Sequence, residues 1–283
     1  MKLVTWNTQW CCGLDGIVSP RRIVDAARAL GDFDILCLQE IAQGYDGLQG
    51  APGDQPAELQ LLLPGFKVFF GAAVDEFGAD GRRLRFGNLV ATRLPVAQVQ
   101  HHALPWPSDP GLRSMPRMAT VVTVRDPTLG VVRVMTTHLE YYSKIQRMAQ
   151  ARALHAWHAE ACGQADGPPL IDDTDPSAFR PKPHTTRAIL CGDFNLEPHE
   201  PEHAVLLAPF GARRLHDAWT LLHGSAPHEP TFRLFDRTYG PVPVACDFVF
   251  VSDELAPRVR RLAIDARTRA SDHQPVWVEL GGS

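Results

Sequence analysis

The chain has no CxxC pair: its six cysteines, at positions 11, 12, 37, 162, 191 and 246, are scattered over 283 residues. That spacing argues against a disulfide framework or a structural zinc site, and Cys37, Cys191 and Cys246, in or beside apolar runs, read as buried reduced thiols. No apolar run approaches the ~20 residues that cross a bilayer. Met1-Lys2-Leu3-Val4 passes at once into Thr5-Trp6-Asn7, without the basic segment and apolar stretch of a secretory leader. A soluble, cytoplasmic protein is therefore expected. There is no internal repeat, no linker that divides two domains and no Lys/Arg-rich arm. A formal charge of −4 supplies no general attraction to a polyanion, although a local basic groove can hide in the average.

What is present fits one large α/β domain over residues 1–283, with 45% hydrophobic residues available for a core. Ser19-Pro20 reads as the cap and first position of a helix whose apolar face is Ile23, Val24, Ala27 and Leu30, with Gly31 as its stop. Strands are expected over 34–38, 66–70, 88–92, 188–191, 247–251 and 275–280. The β-rich runs 118–124 and 131–137 flank Asp126-Pro127-Thr128-Leu129-Gly130 and signal a hairpin. Residues 143–162 carry the longest helical pattern, with Arg147, Gln150 and Arg152 on a solvated or groove-lining face. Shorter helices are expected around 201–207 and 215–222. Residues 163–186, rich in Pro, Gly and Asp, read as a surface-loop insertion. Trp6, Trp10, Trp157, Trp219 and Trp277 read as packing residues, and Trp106, between two prolines, as a loop residue able to touch a ligand. Hairpins mixed with helix-connected strands suggest a layered α/β protein with more than one sheet.

Polar residues recur where the apolar runs stop. The first run ends in Thr5-Trp6-Asn7 and the second in Leu38-Gln39-Glu40. Others end in Thr136-Thr137-His138-Leu139 and Gly192-Asp193-Phe194-Asn195. Cys246-Asp247-Phe248 opens one strand and Ser271-Asp272-His273-Gln274-Pro275 precedes the last. Polar residues at strand termini gather at a sheet edge, where loops leave room for a ligand. A hard cation such as Mg²⁺ takes carboxylate and amide oxygens, which Glu40, Asp272 and Asn7 offer. Asp193 and Asn195, two apart, can accept a proton from a water and hold it in place. His138 and His273 can donate to phosphate oxygens, and Asp247 can fix the tautomer of His273.

The segments TWN, LQE, THL, GDFNLEP, CDFVFVS and SDHQPV, in that order, resemble the endonuclease/exonuclease/phosphatase superfamily. This group includes deoxyribonuclease I, abasic-site endonucleases of the exonuclease III type, neutral sphingomyelinases and inositol-polyphosphate phosphatases. The matches run from residue 5 to 276, and GDFN and SDH are the most specific. The resemblance implies a four-layer α/β sandwich of two packed mixed sheets flanked by helices. It implies Mg²⁺, with Mn²⁺ as a substitute, at Glu40 with Asn7 and Asp272. It matches Asp193 and Asn195 to the water-orienting pair, and Asp247 to the partner of His273. His138 matches the histidine of the deoxyribonuclease I and sphingomyelinase branches and counts against the abasic-site branch. Arg117 resembles a phosphate-contacting arginine, and Glu76 or Asp75 is a candidate to orient His138. Cys246 departs from the arginine or bulky aliphatic often found there.

Three functions compete on these residues. The first is Mg²⁺-dependent hydrolysis of a phosphodiester, with DNA or RNA as possible substrates. Arg82, Arg83 and Arg85 are the one small basic cluster expected near the site. The second is a phospholipid or sugar-phosphate headgroup esterase, which suits the acidic balance but lacks an amphipathic docking helix with a basic face. The third, a non-catalytic binding protein on the same fold, leaves a full set of carboxylates and histidines without a purpose.

Overall fold

Strand β1 (Lys2–Asn7) is the hub of one of two six-stranded sheets. It pairs in parallel with β2 (Ile35–Gln43), the crossover being α1 (Pro20–Leu30), and antiparallel with the last strand, β12 (Val276–Leu280). The first sheet runs β11 (Val259–Ile264), β12, β1, β2, β4 (Arg83–Thr92), β3 (Lys67–Phe77). The second repeats the device. It runs β5 (Val96–Ala103), β6 (Met118–Asp126), β7 (Gly130–His138), β8 (Ala188–Asp193), β10 (Asp247–Ser252), β9 (Leu215–Asp217), with β7 and β8 parallel and α3 (Lys144–Asp166) between them. The computed structural model describes residues 1–172 and 174–281; Asp173 of the expected surface loop lies outside the described residues.

The two sheets pack face to face. Leu3, Ile35, Cys37, Val90 and Val278 of one meet Val122, Val134, Ile189, Cys191 and Val249 of the other in a single apolar layer. The alternate residues of the first sheet, among them Val4, Leu36 and Leu38, bury against α1 and α2 (Gln55–Leu62). Those of the second, such as Met135, Leu190 and Phe250, bury against α3 and α4 (Pro201–Leu206). Each central strand is thus covered on both faces, which is why these strands read as continuous apolar runs. At about 1.5–3 kcal/mol per buried large side chain, these three clusters are the main source of stability. The result is a four-layer sandwich of two mixed sheets flanked by helices.

Local chemistry explains the boundaries. The Ser19 side chain accepts from Arg22 N at 3.2 Å at the start of α1. Asp126 Oδ1 accepts from Thr128 N and Leu129 N, both at 2.8 Å, and closes the β6–β7 hairpin as an Asx turn. Gly192 has φ +139°, and a Cβ there would stand 1.9 Å from the Thr137 carbonyl oxygen, so only glycine lets β8 approach β7 before Asp193.

Several expectations need correction. The long helix continues to Asp166, so the loop begins at 167. Residues 215–217 form an edge strand, and only Ala218–His223 are helical (α5). Arg147 and Gln150 are buried, not solvated. Arg147 bonds Glu200 at 3.1 Å, and Gln150 accepts from Glu140 N at 2.8 Å. They tie α3 to the loops beside the site, a use of polar residues that periodicity does not reveal. Strands β5 and β11 and helix α2 went unread, because their exposed or mixed faces show no clear apolar alternation. All six cysteines are free and buried. Among the described residues no helix is long and apolar enough to cross a membrane.

Candidate functional site

The topology carries the polar strand ends to one place. β10 runs antiparallel to β8 with Asp247 opposite Asp193, so the start of one strand meets the end of the other. β12 runs antiparallel to β1 with Val276 opposite Thr5, which sets Asp272 and His273 beside Asn7. The parallel pairs β1–β2 and β7–β8 add Glu40 and His138. The two sheet edges join in one cleft of about 150 Å³, lined by Asn7, Glu40, Arg117, His138, Asp193, Asn195, Asp272 and His273. Asp247 stands behind His273.

Asp193 is the centre. Its Oδ2 accepts from Asn7 Nδ2 at 2.8 Å and lies 3.4 Å from His138 Nε2 and 3.6 Å from His273 Nε2. Its Oδ1 accepts from Asn195 N at 2.9 Å. Asn7 Nδ2 also donates to Glu40 Oε1 at 3.2 Å, so one amide links a carboxylate from each sheet. Asn195 spends its amide hydrogens on the Leu139 carbonyl (2.9 Å) and on His138 Nε2 (3.0 Å). An accepting Nε2 places the His138 proton on Nδ1, 3.9 Å from Glu40 Oε1. Asp75 and Glu76, the residues suggested by sequence to orient His138, are engaged elsewhere: Asp75 pairs with Arg83 at 2.6 Å and Glu76 accepts from Tyr45 at 2.8 Å.

The two histidines differ in charge. His138 is pushed down to about 3, first by burial and then by the Arg117 cation, and is neutral near pH 7. Burial alone would also discharge His273. The carboxylates of Asp247, whose Oδ2 is 2.9 Å from Nδ1, and of Asp193 outweigh it and raise His273 well above its usual value. Phe232 stacks on the His273 ring at 4.2 Å and closes that side to water. Glu40 is raised to about 7 by burial and then by the like charge of Asp272; Asp272 is itself raised, chiefly by burial. This oxygen-rich, crowded pair suits a hard divalent cation.

The backbone is strained here. Among the described residues the non-glycine positions with positive φ are Gln9, Trp10, Cys11, Glu40, Asn195, Arg233 and, away from the cleft, Ala51. Each such position costs on the order of 1–3 kcal/mol, and such residues cluster where function over-determines geometry. Glu40 (φ 58°) sits in a β-bulge between Leu38 and Ile41 that turns its carboxylate out of the sheet alternation.

Arg117 donates its Nε to Glu140 Oε2 at 3.2 Å while its buried Nη1 has no partner, leaving a donor beside the cleft. Sequence reasoning missed Trp10, Tyr141, Tyr142, Phe232 and Tyr239, which form an aromatic wall around these groups. Tyr141–Tyr142 and Tyr141–Tyr239 centroids are 4.9 and 5.9 Å apart. These residues sit in loops without periodicity, and the one available signal was the Tyr141-Tyr142 pair just after His138. Trp106 bonds Ser114 at 3.0 Å and does not line the cleft.

Comparison with known proteins bears on the fold and the family. No curated protein matches the chain. Among solved structures, an endonuclease/exonuclease/phosphatase from Beutenbergia cavernae shares 24% identity and a TM-score of 0.67, covering 100% of this chain and 72% of its own. A mannosyl-6-phosphatase from Bacteroides thetaiotaomicron shares 17% identity and a TM-score of 0.65, with 99% of each chain covered. A truncated TDP2 from Caenorhabditis elegans shares 18% identity and a TM-score of 0.63, covering 99% of this chain and 97% of its own. At these identities the likeness is one of fold. The sequence profile of the Endonuclease/Exonuclease/phosphatase family matches residues 4–273, and on that match the chain belongs to this family.

Proposed function

We propose that this protein is a divalent-metal-dependent phosphoesterase that cleaves a phosphodiester by attack of water. The observation that carries this reading is the arrangement around Asp193, which accepts hydrogen bonds from Asn7 and Asn195 and has the two histidine Nε2 atoms 3.4 and 3.6 Å from the same carboxylate. Asp193 is the base: its Oδ2 takes a proton from a water held in the cleft. The Asn195 amide fixes that water's surroundings through His138 and the Leu139 carbonyl. His273, held protonated by Asp247, places a cationic N–H beside Asp193 and so can neutralise a phosphoryl oxygen or donate to a departing one. His138, neutral, and the free Nη1 of Arg117 complete the polar lining for the phosphate. Glu40, with Asp272 and Asn7, would hold Mg²⁺ or Mn²⁺. Such an ion supplies charge neutralisation at a phosphoryl oxygen.

The test uses bis-p-nitrophenyl phosphate, a diester that makes no demand on the rest of the substrate. Turnover with Mg²⁺ or Mn²⁺ that EDTA abolishes is expected. Absence of turnover on this diester, on p-nitrophenyl phosphate, on sphingomyelin and on plasmid DNA would leave the binding-protein alternative in its place.

A further inference from the structure

The catalytic cleft does not end at His273. Gln9, which lines it, also lines a second and larger depression of about 710 Å³ between the loop after β1 and the segment after Phe232. Leu234, Phe235, Asp236, Arg237 and Arg269 form its other wall. Its charge differs from that of the cluster at 82–85. There, two of the three arginines are spent on carboxylates, Arg82 on Asp46 and Asp80 and Arg83 on Asp75, while Arg85 has neutral partners in Gln43 and Phe70. In the depression, Arg237 donates, among the described residues, to the carbonyls of Pro241 (2.8 Å) and Leu234 (3.3 Å), and Arg269 lies over the Phe235 ring at 4.7 Å. Neither cation is paired with a carboxylate among the described residues. Asp236, the one acid on this wall, bonds Thr238 N and Oγ1 at 2.9 and 2.6 Å.

The boundary between cleft and depression is built stiffly. Gln9, Trp10 and Cys11 take φ 49°, 43° and 57°, three consecutive left-handed residues without a glycine. The turn is pinned by Gln9 N to Asn7 Oδ1 (3.1 Å), Trp10 N to the Glu40 carbonyl (2.9 Å), Cys12 N to the Gln9 carbonyl (2.8 Å) and Trp10 Nε1 to the Gln49 carbonyl (3.1 Å). Two of those bonds run to Asn7 and Glu40, so the turn's shape is locked to the catalytic residues. Strain held this firmly beside a site is evidence of a positioning role.

We infer that the depression bounded by Gln9, Phe235, Arg237 and Arg269 is a second phosphate subsite that takes the next links of a flexible phosphodiester chain, so that the substrate is single-stranded nucleic acid. The inference rests on the phosphodiesterase reading of the cleft. Unneutralised arginines meet backbone phosphates, with Arg269 carried on the Phe235 ring, while the exposed rings of Tyr142 and Tyr239 are available to unstacked bases. Interleaved cations and aromatics are what a single strand needs, and a sequence-independent grip follows from that chemistry. A lone headgroup would leave this wall unused.

Binding in EDTA separates this inference from catalysis. Fluorescence anisotropy of a labelled oligothymidylate should show the double variant Arg237→Gln/Arg269→Gln weakened about tenfold, as expected for two exposed charge contacts. The slope of log K against log salt should fall by roughly 1.4. Arg82→Gln/Arg83→Gln should match the wild type. Equal binding by the wild type and the Arg237/Arg269 variant would overturn the subsite, even if the protein cleaves bis-p-nitrophenyl phosphate. So would tighter retention by phosphatidylserine vesicles than by the oligonucleotide. Tight, variant-sensitive binding without turnover of any diester would keep the subsite and remove the catalytic reading.

Discussion

Replacing Asp193 by asparagine keeps the side chain's shape and removes its charge. The protein then lacks a group that can take a proton from water. Loss of acid–base help costs about 10²- to 10⁴-fold in rate, or roughly 3–5 kcal/mol of barrier at about 1.4 kcal/mol per decade. The fold should survive. Oδ1 must stay an acceptor for Asn195 N, so the new NH₂ replaces Oδ2 and faces Asn7 Nδ2, donor against donor. One buried unsatisfied donor costs about 1–3 kcal/mol. Relief of Glu40 and Asp272 from the Asp193 charge offsets part of that. For a chain of this size a net loss of 1–2 kcal/mol lowers Tm by about 2–8 °C. Initial rates on bis-p-nitrophenyl phosphate and a thermal melt of the same preparation give both readings. A variant that melts within that range and turns over at the wild-type rate would show that Asp193 is not the base. A collapse of the fold would show instead that the Asn7–Asp193 link is structural first.

Glu40→Gln should stabilise the metal-free protein. A carboxylate raised from 4.5 to about 7 binds its proton more tightly in the folded state, so its ionisation lowers stability as pH rises through that window. In EDTA at pH 8 the variant should be more stable by on the order of 2–3 kcal/mol, and it should lose the rise in Tm that Mg²⁺ gives the wild type; a variant no more stable than wild type in EDTA would remove the argument from charge crowding. Asp217→Asn tests the opposite case. Burial opposes the ionisation of Asp217, but His203 at 3.0 Å and His228 at 2.8 Å outweigh it and hold it at about 2. The substitution should cost about 2 kcal/mol near neutral pH, and the gap should close as pH falls from about 4 to about 2. A pH-independent difference in denaturant midpoints would assign the effect to packing.

Much of the fold was legible because central strands covered on both faces leave unbroken apolar runs, as at Ile35–Leu38 and Ala188–Cys191. The helix at Pro20 was legible from its cap. Edge elements were not: β5 has neither a clear apolar alternation nor a buried face, and in β11 only Val259 is fully buried. The same contrast holds at the cleft. Asn7, His138, Asp193 and Asp247 stand at strand ends, Glu40 in the bulge within β2 and His273 just before β12, where a polar residue interrupts or borders an apolar run and is conspicuous. Tyr141, Phe232 and Tyr239 belong to loops, where an aromatic residue contradicts nothing around it. Arg237 and Arg82 look alike in sequence, and only their neighbours show that one is paired with carboxylates and the other is not.

The charges of the cleft require something the chain does not itself provide. Four carboxylates, Glu40, Asp193, Asp247 and Asp272, converge there, and only His273 is held as a cation among them. Arg117 is already set against Glu140 at 3.2 Å. Two like charges about 4 Å apart repel by roughly 4 kcal/mol at the effective dielectric of such a site. A phosphate entering this cleft would meet a surplus of negative charge, although the unpartnered Nη1 of Arg117 and the His273 ring stand beside it. The conflict is resolved if a divalent cation occupies the Glu40–Asp272 side while His273 and Arg117 face the phosphate. On the proposed reading, the feature least favourable to the folded protein, a crowd of buried acids, is the one that a divalent cation would offset.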